Sequence, residues 1–543
     1  MDKQQKEKIT KLYWLSGVFI MLLVVAGVTN PKRFAAIIGS INDYISSSFG
    51  DFYLFFMMTA LLIFLLIGVS PLGRIRFGGQ DAKPEFSFIS WFSMLFCAGM
   101  GIGLMFWGAA EPLYHFMNPP IDPIDGDLTA IDRKILALQV SFFHWGLHPW
   151  ALYGFAALII CFFSMNLKRG HNFSSFIKDD GTKFNYILRR LIDFFTIIAI
   201  LFGVTMSFGL GVLQLEAGLQ NEFHFESSVW VQLAIIAVIT AAYIVSTLRG
   251  MDKGIKLVSN VSMALCIVML ATVFYFMPKG NLFVPLMESF PEYIGKFPEF
   301  ALGIVNYSSE TWLTDWTTKY WSWWIAFAPF VGIFVALVSR GRTVRELVFL
   351  ILAIPTTFCC IWFTVFGGAA ISLQMENQYL GNELQLENTN AILFYLLNEI
   401  SSSPVFTSLL TWLNIAIIAM FFINSADSAT YTLSYVSKKN PNTEPTVFMK
   451  ISWGMLFTVL AILFLYTGGL KILQQITLVS ALPFTGLLIV TFCFVVVEMI
   501  KYYRSHVAIL KSALKQEPEE AETPSTVMIS VPKSKEKNSL AQN

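Results

Sequence analysis

Residues 88–117 read FISWFSMLFCAGMGIGLMFWGAAEPLYHFM, thirty positions with one charged side chain, Glu111. About 20 helical residues cross the hydrocarbon core of a bilayer, so this run is long enough to span it. It lacks the polar/apolar alternation of a barrel strand, which leaves the helix as its structure. The rest of the chain has the same character. Charged residues make up 13% of its 543 positions and apolar ones 55%, where a soluble domain carries ~25% charge. Most of this surface therefore faces lipid. A net charge of +1 speaks against an electrostatic grip on nucleic acid and against disorder.

A window of about 19 residues predicts twelve spans, at 12–29, 51–70, 88–117, 135–165, 190–218, 229–248, 256–277, 316–338, 346–373, 404–436, 448–467 and 474–500. The fold class is an all-α membrane protein with 12 transmembrane helices. The basic N-terminus leads into the first span without a small-residue cleavage site and reads as an uncleaved helix. Putting that terminus inside places 29 of the 37 Lys and Arg residues on the inner side, among them Lys3, Lys6, Lys8, Lys11, Arg74, Arg76, Arg340, Arg342, Arg345, Lys438 and Lys439. The loops left outside are acidic, with Asp122, Asp125, Asp127 and Asp132 in one and Glu376, Glu383, Glu387 and Glu399 in another. This bias predicts both termini in the cytoplasm. Residues 278–315, with Pro278, Pro285, Pro291 and Pro298, read as an external amphipathic segment, and 501–543 as a solvated tail.

Three glycines, Gly99, Gly101 and Gly103, interrupt the third span. Each costs a helix up to ~1 kcal/mol against alanine, and alternate positions do not share one face. They predict an unwound stretch at the bilayer midplane, where transporters expose backbone to substrate. In the eighth span Trp316, Tyr320, Trp323 and Phe327 fall within roughly a 60° arc, with Trp324 beside them. Pro329 allows a second irregularity there. The fourth span adds Trp145, Trp150 and Tyr153 around Pro149. Several ring faces together suit a quaternary ammonium, which donates no hydrogen bond and is held by ring quadrupoles without a carboxylate.

Glu111, Asp193, Glu216 and Asp427 are the intramembrane acids, read as structural pairs; Glu111 and Asp427 lie beside the motif regions. His144 and His148 have the i,i+4 spacing of metal ligands, but the HExxH pattern and a third ligand are missing, so they read as a packed, hydrogen-bonded pair. The six cysteines, Cys97, Cys161, Cys266, Cys359, Cys360 and Cys493, sit in apolar runs as reduced packing residues. No Walker A or GxSxG motif is present, which leaves an ATP-driven pump or a membrane enzyme unsupported.

Four stretches, GMGIGLMFWGAAEPLYHF (99–116), HWGLHPWALYG (144–154), YWSWWIAFAPFVGIFVALVSRGRTVRE (320–346) and FFINSADSAT (421–430), closely resemble the betaine/carnitine/choline transporter family. The resemblance implies two leading helices in residues 1–87 and a 5+5 inverted-repeat (LeuT-like) core, with the first repeat in 88–277 and the second in 316–500. It also implies a homotrimer in a bacterial cell membrane. The trimethylammonium group would sit among Trp145, Trp150, Tyr153, Trp323, Trp324 and Phe327, with Tyr114 and Trp321 nearby. Backbone at Met100, Gly101 and Gly103 would meet the carboxylate, and Phe106 would act as a gate.

Sodium-dependent members resemble one another in a cation site that maps onto the carbonyls of Cys97, Met100 and Phe421 and the side chains of Asn424 and Ser425. Hard oxygen ligands suit an alkali ion. The family usually has Thr where Asn424 stands. Sodium-independent exchangers carry an arginine and a methionine where Ser262 and Val331 stand here, and choline carriers often have Asp at Gly103. The expectation is therefore sodium-coupled symport of glycine betaine or a related zwitterion, with proton-coupled choline uptake or sodium-independent carnitine/betaine exchange as the alternative. Sodium is the coupling ion, and no covalent cofactor is expected.

Overall fold

In a computed structural model, residues 10–121, 128–277, 280–309, 311–385, 388–438 and 443–516 are described. Lys3, Lys6, Lys8, Asp122, Asp125, Asp127, Pro278, Glu387, Lys439 and the end of the tail, from residue 517, lie outside them. The helices are α1 (Lys11–Thr29), α2 (Pro31–Val69), α3 (Phe88–Met117), α4 (Ala130–Trp145), α5 (Leu147–Cys161), α6 (Lys183–Phe223), α7 (Val229–Gly250), α8 (Lys256–Phe276), α9 (Gly280–Gly295), α10 (Phe297–Ala301), α11 (Trp312–Asp315), α12 (Thr317–Val338), α13 (Val344–Asn377), α14 (Tyr379–Gln385), α15 (Ile392–Glu399), α16 (Pro404–Ser437) and α17 (Val447–Gln516).

Among the described residues, eleven helical segments are long and apolar enough to cross a membrane, with α4–α5 and α11–α12 each counted as one. The last runs from Val447 to Ser505, 59 residues, or ~88 Å at the helical rise, far more than one crossing needs. It is broken at Gly468 and Gly469, and Gly469 (φ 57°, ψ −140°) adopts a conformation open to glycine alone. The break separates the two final spans and makes twelve. From Ile500 onward the chain is a separate unit, helical through Gln516.

The remaining ten spans fall into two halves of five. The first helix of one half, α3, packs on α13 and α16; the first helix of the other, α12, packs on α5 and α6. Exchanging α3 with α12, α4–α5 with α13 and α6 with α16 leaves this contact set unchanged. Five crossings are an odd number, so the second half enters from the opposite side, and the repeat is inverted.

Several expectations need correction. The second span does not begin at 51: Pro31, in the first turn, and Asn30, whose side chain accepts from Arg33 N, start a 39-residue helix. Helix α3 is continuous through Gly99, Gly101 and Gly103, and α12 through Pro329. The backbone break lies instead in the fourth span, at Gly146 (φ −92°, ψ −121°) between α4 and α5. A Cβ there would meet Phe142 O at 2.5 Å and the Tyr293 hydroxyl at 2.7 Å. The backbone groups it frees are taken up by side chains: His144 O accepts from Trp324 Nε1 at 3.0 Å, and Leu147 N donates to Tyr293 OH at 3.0 Å. Such substitution is what allows irregular backbone at membrane depth. Among the cysteines, Cys493 is exposed on the helix surface and the other five are buried. The external segment read from sequence is not among these corrections: its described part forms α9 to α11, and α9 packs against α4 and α13.

Candidate functional site

The break at Gly146 leaves Trp145 at the end of α4 and Trp150 and Tyr153 at the start of α5, which packs along α12. Trp323 and Trp324 stack with centroids 4.6 Å apart and planes at 17°. Trp145 stands edge-on to both, at 6.0 and 5.0 Å. Tyr153 lies edge-on to Trp324 at 6.4 Å and 6.3 Å from Phe327, and Trp150 is 5.8 Å from Tyr153. All six rings are buried, none more than 5% exposed.

The glycines of α3 admit these rings. A Cβ on Gly103 would lie 2.8 Å from Trp145 and 2.9 Å from Trp323, one on Gly99 3.1 Å from Trp150, and one on Gly101 2.6 Å from the Phe421 ring. Two faces of one helix are thus approached by aromatics, Gly99 and Gly103 on the side of α4, α5 and α12 and Gly101 on the side of α16, which explains why the three glycines need not share a face. Between them lies a void of about 10 Å³ lined by Met100, Gly101, Gly103, Trp145, Trp323, Trp324, Phe327, Ser207 and Ser425. That is room for about one water, so a solute enters only as the rings part. No acid lines it. Ser207, on α6, was not expected from sequence; a lone serine in an apolar helix gives no signal of what it faces.

Trp323 also lines a second cavity of about 310 Å³, with Trp107, Tyr114, Trp316, Tyr320 and the Asp315–Lys319 ion pair at 3.1 Å. This vestibule and the void share that one ring. Tyr114 belongs to the vestibule, and Trp321 faces the other way, against Phe143 and His148 at 5.2 and 4.9 Å. Phe106 is buried with its ring 5.0 Å from Trp107.

Of the residues expected to hold a cation, Ser425 Oγ donates to Cys97 O at 3.4 Å, and Phe421 packs on Gly101. The Asn424 side-chain oxygen accepts from Ser259 Oγ of α8 at 2.8 Å. Asp427, one turn on, accepts from Ser246 and Ser428. Glu216 accepts from Ser227, Ser228 N and Gln232, and Asp193 from Asn172. His144 and His148 do not form the expected hydrogen-bonded pair. His144 Nδ1 lies 2.7 Å from Glu111 and Nε2 lies 3.0 Å from Thr317 Oγ1, while His148 stacks on Phe297 at 4.7 Å. The residue beside His144 and Glu111 is His115, on the same helix as Glu111.

The betaine/carnitine/choline family transporter pattern (BCCT) matches residues 11–504. A glycine betaine transporter of Bacillus subtilis is 36% identical over 88% of this chain and 92% of its own length. An ectoine/hydroxyectoine transporter of Virgibacillus pantothenticus is 35% identical over 88% of this chain and 94% of its own. Among solved structures, a Na+-coupled sialic acid symporter in a substrate-bound outward-open state is similar at a TM-score of 0.49 and 15% identity, over 82% of this chain and 87% of that one. With the family pattern covering every span, the chain belongs to the betaine/carnitine/choline family and is a multi-pass membrane transporter, not an enzyme.

Proposed function

We propose that this transporter brings a zwitterionic trimethylammonium solute, glycine betaine foremost, into the cell by symport with sodium. The observation that carries the reading is the convergence of four buried rings, Trp145 of α4 and Trp323, Trp324 and Phe327 of α12, on one void without an acid, with Trp150 and Tyr153 of α5 packed behind them. Ring quadrupoles hold a methylated cation at on the order of 0.5–2 kcal/mol each when water is excluded. A carboxylate partner for the cation is then unnecessary, and the absence of an acid beside Gly103 favours a solute that carries its own. The Trp323 indole N–H is buried at the void and makes no hydrogen bond among the described residues, which leaves a donor for that carboxylate.

The excess of basic residues in alternate loops supports a vestibule that opens outside and termini in the cytoplasm. Solute would pass from the vestibule to the void as Trp323 and Phe106 move, by rocking of α3–α5, α12 and α13 against the other helices. Sodium travels as co-substrate on the carbonyls of Cys97, Met100 and Phe421 and the side chains of Ser425 and Asn424, whose amide turns away from Ser259 to join them. The relatives' substrates, glycine betaine and ectoine, both carry a diffuse positive charge. The homotrimer implied by family resemblance belongs to the same reading.

The test is uptake of labelled glycine betaine by purified protein in liposomes, with and without an inward sodium gradient. Concentrative uptake only with the gradient is expected. Equal uptake in both rejects sodium coupling in favour of proton-driven choline uptake or exchange. Competition by choline, carnitine and ectoine orders the substrates.

A further inference from the structure

Glu111 is the one carboxylate of a thirty-residue apolar helix, and it is fully buried. Its oxygens meet three side chains from two other helices. Oε2 accepts from Trp145 Nε1 at 2.6 Å and from the Tyr320 hydroxyl at 2.5 Å; Oε1 lies 2.7 Å from His144 Nδ1. A carboxylate only accepts, so His144 donates from Nδ1 and its Nε2 accepts a hydrogen bond from the Thr317 hydroxyl, at 3.0 Å. The same histidine offers its carbonyl to Trp324 Nε1 at 3.0 Å. His144 and Trp145 are the two residues immediately before the break at Gly146.

A helix interrupted at Gly146 no longer holds the Trp145 ring in one direction through its own backbone. Something outside it must. Tyr320, in turn, lies nearly parallel to Trp324 and Trp323, at 5.7 and 6.3 Å. One carboxylate therefore reaches both walls of the cage, one in each repeat, without itself lining the void. Burial in a low dielectric makes such charge-assisted hydrogen bonds strong, and leaving any of these donors unmet is costly.

We propose that Glu111 is the positioning residue of the ring cage. It fixes Trp145, at the edge of the Gly146 break, and Tyr320, and binds α3, α4 and α12 into one body that moves as a unit. The assignment rests on the reading of the rings as a methylammonium cage, but its chemistry is separate from that of the substrate. A glutamine at 111 reproduces it. The amide oxygen accepts from Trp145 and Tyr320, the amide nitrogen donates to His144 Nδ1, and the histidine then donates from Nε2 to Thr317. An alanine removes all three bonds.

The experiment measures glycine betaine uptake in liposomes for wild type, Glu111→Ala, Glu111→Gln, Tyr320→Phe and the Glu111→Ala/Tyr320→Phe double variant. Hydrogen exchange of the 141–150 segment is followed in the same purified proteins. Glu111→Ala is expected to raise KM at least tenfold and to speed exchange around the Gly146 break. Glu111→Gln should stay within about threefold of wild type. The double variant should be no worse than Glu111→Ala alone, since the Tyr320 hydroxyl acts through the carboxylate. A Glu111→Ala protein with wild-type KM and exchange overturns the proposal, as does a Glu111→Gln protein as impaired as Glu111→Ala. Should Glu111→Ala fail to reach the membrane, Tyr320→Phe decides: a KM raised threefold or more supports the proposal, and an unchanged KM overturns it. A wild-type protein that takes up no betaine refutes the functional reading instead, and the exchange measurement still tests Glu111.

Discussion

Helices α3 and α12 occupy equivalent places in the two repeats, yet they contribute opposite things to the site. Along α3 the void is lined by Gly99, Gly101 and Gly103 with only Ala98, Met100 and Ile102 between them, and each glycine is approached by a ring more closely than an ordinary Cβ contact allows. Along α12 they are Trp323, Trp324 and Phe327, with Tyr320 one turn away. One half of the molecule supplies space and the other fills it. A symmetric backbone thus carries an asymmetric site, and neither helix needs to unwind to make it.

The comparison breaks most completely if space on α3 is removed. Gly103→Val sets a branched side chain against Trp145 and Trp323, and over-packing of this kind costs on the order of 1–3 kcal/mol. We expect betaine uptake to fall roughly a hundredfold, measured at equal protein in liposomes. Removing a ring from α12 is the next largest change. Trp324→Ala loses one cation–π face, about 1–2 kcal/mol, so calorimetric betaine affinity should drop roughly five- to thirtyfold; an unaltered affinity would show the cage to be elsewhere. Gly99→Ala sharpens the comparison. The new methyl lies 3.1 Å from the tip of Trp150, a contact that a small ring shift relieves, so a cost below ~1 kcal/mol and a KM within about fivefold are expected. The smallest effect belongs to Trp321→Phe, because that ring looks away from the void; KM should stay within about twofold while thermal stability falls.

The span count and the ring wall were legible in sequence because each is a periodic signal summed over many residues, whereas the division after two leading helices came from the family resemblance alone. The location of the backbone break was not. A glycine that loosens a helix and a glycine that admits a neighbouring ring look identical along the chain; only the partners distinguish them, and those lie on α5, α12 and α16. Gly146 is a lone glycine with Pro149 three residues on, a weaker mark than the triplet in α3, yet it carries the break. Trp321 was misjudged for a related reason, since it lies about 140° around the helix from Trp316. Glu111 was visible as an isolated acid, but its donors come from residues 33 to 209 positions away. The helical start of α2 at Pro31 was legible locally and was masked by the polar composition that follows it.

The mouth of the vestibule has a further consequence. Lys319 and Asp315 cancel one another there, and the rings beneath present quadrupoles rather than net charge. Ionic strength screens exposed charges within a Debye length of about 8 Å at physiological salt and about 3 Å at 1 M, yet it has little to act on in this entrance. The grip of such a cage is set by desolvated aromatic faces, so it persists in a concentrated brine as it does in a dilute medium.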